Sequence, residues 1–284
     1  MATKLITNDE QLRKFIPNLF TTAKGETPFF DRLLPWLETA ERWLVGQFVG
    51  ADFLPTLLAQ DGDEPMRISA TLVVVNEAFM RAVPSLDLVL TPNGFGIVSN
   101  QNVAPASRDR IARLLASLET NRDNSIEQLL TYLHRNSQWL GGTARRWFAA
   151  TLFPNIDLAN LCGFTEHRWV NYLGLRSKAI DVEQRIAEEF ISPEQLAVLR
   201  HEVMTLFDDM TLTVMQHARV TEQLRSIIVS VLQGNLLNSQ SLREIVDYMR
   251  KHPDDFAEFR HSRTYKLFEP PIFENQKTAS GYFF

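Results

Sequence analysis

A chain of 284 residues with 45% hydrophobic side chains carries enough apolar material for a substantial core, and its length allows one large domain or two small ones. A net charge of −5 leaves no electrostatic footprint for duplex binding, which depends on clustered Lys and Arg neutralising phosphates. The single cysteine, Cys162, excludes an intramolecular disulfide, and no window approaches the apolar length that spans a bilayer.

Residues 1–7 lack the apolar core of a secretory signal, so the expected compartment is the cytosol. Pro28 sits where a first helical turn begins. The helix expected after it carries Leu34, Leu37, Leu44, Val45 and Phe48 on one stripe, and Glu41 falls inside that stripe. A buried carboxylate there needs a partner, for which Arg42 is the nearest candidate.

Residues 86–99 hold the clearest β signal. Leu86, Leu88 and Leu90 alternate with Asp87 and Val89, and after Thr91-Pro92-Asn93-Gly94 the alternation resumes at Phe95, Ile97 and Ser99. This reads as a small hairpin whose turn presents Pro92, Asn93 and Gly94 for contact, with Phe95 beside them. Gly94-Phe95-Gly96-Ile97-Val98-Ser99 echoes a dinucleotide loop, but the next helix starts near Pro105, too far on to receive a phosphate. Nucleotide binding therefore lacks its structural context.

Helical periodicity then runs over 105–133, about 40 Å at helical rise. Ile111, Leu114, Leu115, Leu118, Ile126, Leu129, Leu130 and Leu133 share a face, interrupted by a polar patch over 119–124. That interruption means that the two ends pack on different neighbours or that one end serves a partner. Asn136, Ser137, Gly141 and Gly142 place a soft boundary near 135, giving an N-terminal helical half over 1–135 and a second over 136–261. Gly141-Gly142-Thr143-Ala144-Arg145-Arg146 forms at most a weak anion site at a helix start. Cys162 follows the apolar residues Leu158, Ala159 and Leu161 and reads as a small buried hydrophobe.

Shifting the chain by 142 positions brings Leu33, Glu41, Phe48, Leu54 and Leu57 onto Leu175, Glu183, Phe190, Leu196 and Leu199. Tyr172 also meets Phe30, and Ile186 meets Leu44. Two pseudo-repeated helical halves would explain this, and so would chance likeness between amphipathic helices. Glu183, like Glu41, lies in an apolar stripe, with Ile180, Ala187 and Phe190, and Arg176 is its candidate partner.

Paired inward carboxylates hold metal in some helical bundles, but that pattern needs two Glu-x-x-His units and the chain has only Glu258-Phe259-Arg260-His261. His201-Glu202 opens like a zinc-protease helix, yet Thr205 stands where the second histidine belongs. No nucleophile elbow or Walker loop occurs. No cofactor, metal or catalytic residue is expected. Further helix starts are read at Ser192-Pro193-Glu194-Gln195, at Ser241-Leu242-Arg243-Glu244 and at Pro253 with Asp254 and Asp255. Residues 262–284 read as an extended tail. Pro270 and Pro271 keep the chain out of helix, and Tyr282, Phe283 and Phe284 form an aromatic anchor for this chain's core or a neighbour.

The passage LTPNGFGIVSN followed by APASRDRIARLLASLE, with the tail FENQKTASGYFF, resembles an uncharacterised family encoded in structural gene modules of tailed phages and prophages of gut bacteria. The resemblance covers most of the chain, and its most specific part is the Thr-Pro-x-Gly-Phe-Gly turn leading into Ala-Pro-Ala-Ser. It implies a non-catalytic head-to-tail connector or head-completion protein, assembled in the host cytoplasm into the virion. The partners it implies are a homo-oligomeric ring and neighbouring proteins on the portal or tail side. The residues themselves give a mainly α multi-helix bundle with one small hairpin. They fit equally a cytosolic helical adaptor that binds another protein, and an enzyme using Glu41 and Glu183 stays open beside these.

Overall fold

The computed structural model describes residues 5–16, 28–86, 88–91, 94–97, 107–206 and 211–269. The chain is mainly helical. Asn8 accepts from the Gln11 N–H and starts α1, Asp9–Phe15, with Asp9 and Glu10 at the positive end of the helix. Pro28 is the N-cap of α2, Phe29–Leu44, which passes without a break into a π-helical turn over Val45–Val49. After α3, Leu54–Ala59, comes α4, Pro65–Leu86. Two short strands follow, β1 at Leu88–Thr91 and β2 at Gly94–Ile97. They pair antiparallel, with Leu88 opposite Ile97 and Thr91 opposite Gly94.

The chain returns along α4 as α5, Arg108–Leu133. Three short helices, α6 at Ser137–Leu140, α7 at Arg145–Phe148 and α8 at Asp157–Leu161, lead into α9, Arg168–Ile186. A second π-helical turn covers Ala187–Ile191. Then come α10 (Pro193–Met204), α11 (Leu212–Leu232), α12 (Ser239–Lys251), α13 (Ala257–Arg260) and α14 (Arg263–Lys266).

α4 is the centre of the N-terminal part, held between α2 and α5. Its residues from Ser69 to Ala78 are buried except Leu72, so the helix is enclosed on nearly every side, as its Val73-Val74-Val75 run and its small Ala70, Ala78 and Ala82 require. In the C-terminal part α11 lies against α9, α10 and α12. The core does not break near 135: one cluster of buried side chains runs from Leu5 to Phe259. Aromatics join the two parts. The Trp139 indole N–H donates to the Phe48 carbonyl at 2.9 Å, and the Phe48 and Trp169 rings lie 4.7 Å apart.

The 142-residue shift has structural counterparts. Val45–Val49 and Ala187–Ile191 stand 142 residues apart, and both are single π turns continuing a long helix. Each is closed by a residue of positive φ, Gly50 (φ 81, ψ 147) and Ser192 (φ 73, ψ 146), whose N–H bonds to Val45 O at 2.8 Å and Ala187 O at 2.9 Å. Phe48 and Phe190 are both buried, as are Leu57 and Leu199.

Several boundaries differ from those read in the sequence. Leu86, expected to open a strand, is the last residue of α4, which continues two residues past Pro84. The N-cap of α12 is Asn238, which accepts from the Ser241 N–H, so Ser241 lies inside the helix instead of capping it. Pro253 follows α12 in a turn, and α13 begins only at Ala257. Ser192 does cap α10, accepting from the Gln195 N–H, but the Gln195 side chain does not reach back to complete a box; it accepts from the Phe259 N–H at 3.2 Å. The segment expected to be extended from 262 starts with a helical turn, α14, capped by Ser262. Pro105, Pro270, Pro271 and the end of the tail lie outside the described residues.

Candidate functional site

The two carboxylates singled out in apolar stripes are both buried, Glu41 at 8% exposure and Glu183 at 1%. Glu41 on α2 accepts from the Leu5 backbone N–H at 3.1 Å and so pins the segment before α1 to the bundle. Glu183 on α9 accepts from the Thr151 hydroxyl at 2.7 Å and the Leu152 N–H at 2.9 Å, and pairs with Arg200 of α10 at 2.7 Å. Burial raises the Glu183 pKa, while Arg200 and these donors oppose that rise. The partners expected from sequence are not the ones used: Arg42 donates to Thr39, and Arg176 lies over the Trp147 ring, 3.8 Å from its centroid, and donates to the Trp147 carbonyl. The two glutamates thus do the same job at equivalent places, each accepting a backbone N–H from an upstream segment. Among the described residues no group of three His, Cys, Asp or Glu is placed to hold a metal.

The polar patch of α5 is where α9 docks. Arg122 is buried and pairs with Asp123 at 2.7 Å, Glu77 of α4 at 3.0 Å and Glu119 at 3.3 Å. Asp123 spends its second oxygen on the Trp169 N–H at 3.2 Å, capping the start of α9 from another helix. Arg168 adds a bond to Glu127 at 2.7 Å, and His167, at φ 52, meets Glu119 at 2.6 Å. The interrupted stripe in the sequence signalled this patch; its partners, 40 or more residues away, had no local signal.

The glycine-rich helix start at 141–146 is already occupied by the chain's own anion. The Asp52 carboxylate accepts from the Thr143 N–H at 2.9 Å, and that bond lowers the Asp52 pKa. A Cβ on Gly142 would stand 2.8 Å from Asp52 Oδ2, so glycine is what allows the approach. Cys162 is half-buried, and burial raises its pKa, which disfavours the thiolate. His217 is held between Glu202 Oε1 at 2.7 Å and the Asp255 carbonyl at 2.6 Å. His201 faces Arg145 at 3.0 Å.

Of the contact residues expected in the sequence, Gly94 and Phe95 lie on β2, while Pro92, Asn93, Tyr282, Phe283 and Phe284 lie outside the described residues. The helices flanking the strands are largely exposed where they approach them. No residue of α5 from 108 to 121 is buried, whereas seven are from Arg122 onward. On α4 only Ala82 is buried beyond Ala78. The end of α4 and the start of α5 therefore form an arm clear of the body. Its α5 face carries Ile111, Leu114, Leu115 and Leu118, with Leu114 41% exposed, beside the exposed Arg108, Arg110 and Arg113. Leu114 stands open on this face, and Ile111, Leu115 and Leu118 are half-buried where α5 runs along α4.

Fold and site together define a helical bundle in which Glu41, Glu183, Arg122 and Asp123 are buried and bonded to other parts of the chain. Residues 20–149, which take in α2 to α7 and the arm, match the model of a family of unknown function, DUF6712. No curated protein and no solved structure matches the chain. Among the described residues no helix is long and apolar enough to cross a membrane.

Proposed function

We propose that this chain is a non-catalytic structural subunit that works by protein–protein contacts, and that it serves as a head-to-tail connector or head-completion protein of a tailed phage or prophage particle. The observation that carries the contact role is the α4–α5 arm, where Leu114 is 41% exposed beside the exposed Arg108, Arg110 and Arg113. The phage setting rests on the resemblance of the turn and tail motifs. Supporting the non-catalytic part, the buried Glu41, Glu183, Arg122 and Asp123 are engaged with other groups of the chain. The subunit assembles in the host cytoplasm into a ring, against portal-side or tail-side neighbours, and takes no cofactor.

We also infer that its two halves are copies of one unit: short helix, long helix, π turn, positive-φ residue and following helices. The paired π turns and the paired buried glutamates support that reading.

Molar mass measured by light scattering across a concentration series tests the assembly. A mass rising above the monomer supports a ring-forming subunit. A monomer at every concentration, which still forms a complex when mixed with an extract of unrelated cells, supports the adaptor instead.

A further inference from the structure

We propose that the arm of one copy docks on the opposite end of α4 in the next copy, with Arg110 and Arg113 against Asp61 and Asp63 and with Leu114 entering the cleft beside them. This rests on the self-assembly reading above and names its interface.

Charge and distance carry the inference. The arm presents Arg108, Arg110 and Arg113, all exposed and without an ion pair among the described residues, on a chain whose net charge is −5. At the start of α4, Asp61, Asp63 and Glu64 are likewise exposed and without an ion pair among the described residues. The two sets lie at opposite ends of a helix of 22 residues, about 33 Å long at helical rise. They cannot meet within one chain, so only a second copy brings them together. Pairing arm with arm would set the same arginines against each other, which like-charge repulsion opposes. The contact is therefore head-to-tail, the kind that closes into a ring or runs on as a filament.

Beside Asp63 is a cleft of about 260 Å³ whose lining includes Leu5, Phe15 and Ile68. An apolar cavity of about 150 Å³ holds a benzene-sized group, so a leucine side chain fits this one. Lys14 and Arg67 also line it, but Arg67 is turned to the Leu58 and Gln60 carbonyls and leaves Asp63 available.

The experiment is a charge swap in the full chain, read by sedimentation velocity over a range of concentrations. Arg110→Glu/Arg113→Glu and Asp61→Lys/Asp63→Lys should each, alone, move assembly to a concentration at least about tenfold higher, two rim pairs turned from attraction to repulsion being worth that much. An equimolar mixture of the two variants should recover assembly, because each supplies the complement of the other. If either variant melts lower than the parent, Arg110→Gln/Arg113→Gln replaces the reversal on the arm and Asp61→Asn/Asp63→Asn that on α4, with a smaller shift expected. Variants that assemble like the parent, or a mixture that stays dissociated, overturn the docking while leaving self-assembly standing. A parent chain that is monomeric at every concentration overturns both.

Discussion

Gly50 and Ser192 hold the same backbone conformation at the end of two like turns, φ 81 with ψ 147 and φ 73 with ψ 146. Only glycine adopts it without strain, so serine at the second site is kept by something else. Its hydroxyl accepts from the Gln195 N–H at 3.2 Å and caps α10. Ser192→Ala should therefore cost about 1–2 kcal/mol, since the strain stays and the cap is lost, while Ser192→Gly should cost much less. Gly50→Ala should cost about 1–3 kcal/mol, because its Cβ would stand 2.5 Å from the Asp52 Oδ1. Urea unfolding midpoints measure all three, and a neutral Ser192→Ala would show that the cap contributes nothing.

Arg122 is the centre of the contact between α4, α5 and the start of α9. Removing it leaves Asp123 buried without its cation, while Glu77 keeps Arg81 at 2.7 Å, so Arg122→Met should lose about 3–5 kcal/mol. Adding Asp123→Asn should restore part of that, since the stranded charge disappears. Equal stability of the single and double variants would mean that Asp123 is solvated once Arg122 is gone.

How much of this was legible in the sequence depends on whether the deciding partner is local. The stripes of α2 and α9, the burial of Glu41 and Glu183 and their 142-residue spacing follow from periodicity, because a helix face is set within a few residues. Arg200 as the partner of Glu183 does not, since it arrives on α10 after a chain reversal that only the π turn and Ser192 define. Nor does the capping of α9 by Asp123, which comes from a helix 46 residues upstream. Local pattern does not fix a helix end where two capping residues compete: Asn238 takes the first turn of α12, and Ser241 three residues later is left inside it.

Two histidines set opposite limits on the pH range of stability. At His217 burial works against the charged ring, but its bonds to Glu202 and the Asp255 carbonyl win and raise the pKa above 6.5. Both ring nitrogens face acceptors, so the imidazolium is the form that fits. Its stabilisation is complete below pH 6.5 and is lost as pH rises through the raised value. At His134 burial lowers the pKa from 6.5 to about 4, so the fold is destabilised as pH falls across that interval. Melting temperature against pH should fall on both sides. His217→Gln should remove the alkaline decline and His134→Phe the acidic one; curves unchanged in shape would exclude these residues as the cause.

Glu183 and Arg200 should behave as one unit. Glu183 spends one oxygen on Thr151 and Leu152 and the other on Arg200, so either truncation leaves an opposite charge or a backbone N–H unpaired in the core. Glu183→Ala should cost about 3–5 kcal/mol and Arg200→Met somewhat less, because Arg200 is partly exposed and its charge can turn to water. The double variant should be more stable than the sum of the two losses allows, by about 1–3 kcal/mol, which a double-mutant cycle in urea measures. A carboxylate with this many donors has little capacity left for a cation, so protein purified without added metal should contain none in stoichiometric amount. Iron, zinc or manganese at one equivalent, lost in Glu183→Gln, would instead make the buried carboxylate a ligand and bring back the enzyme reading.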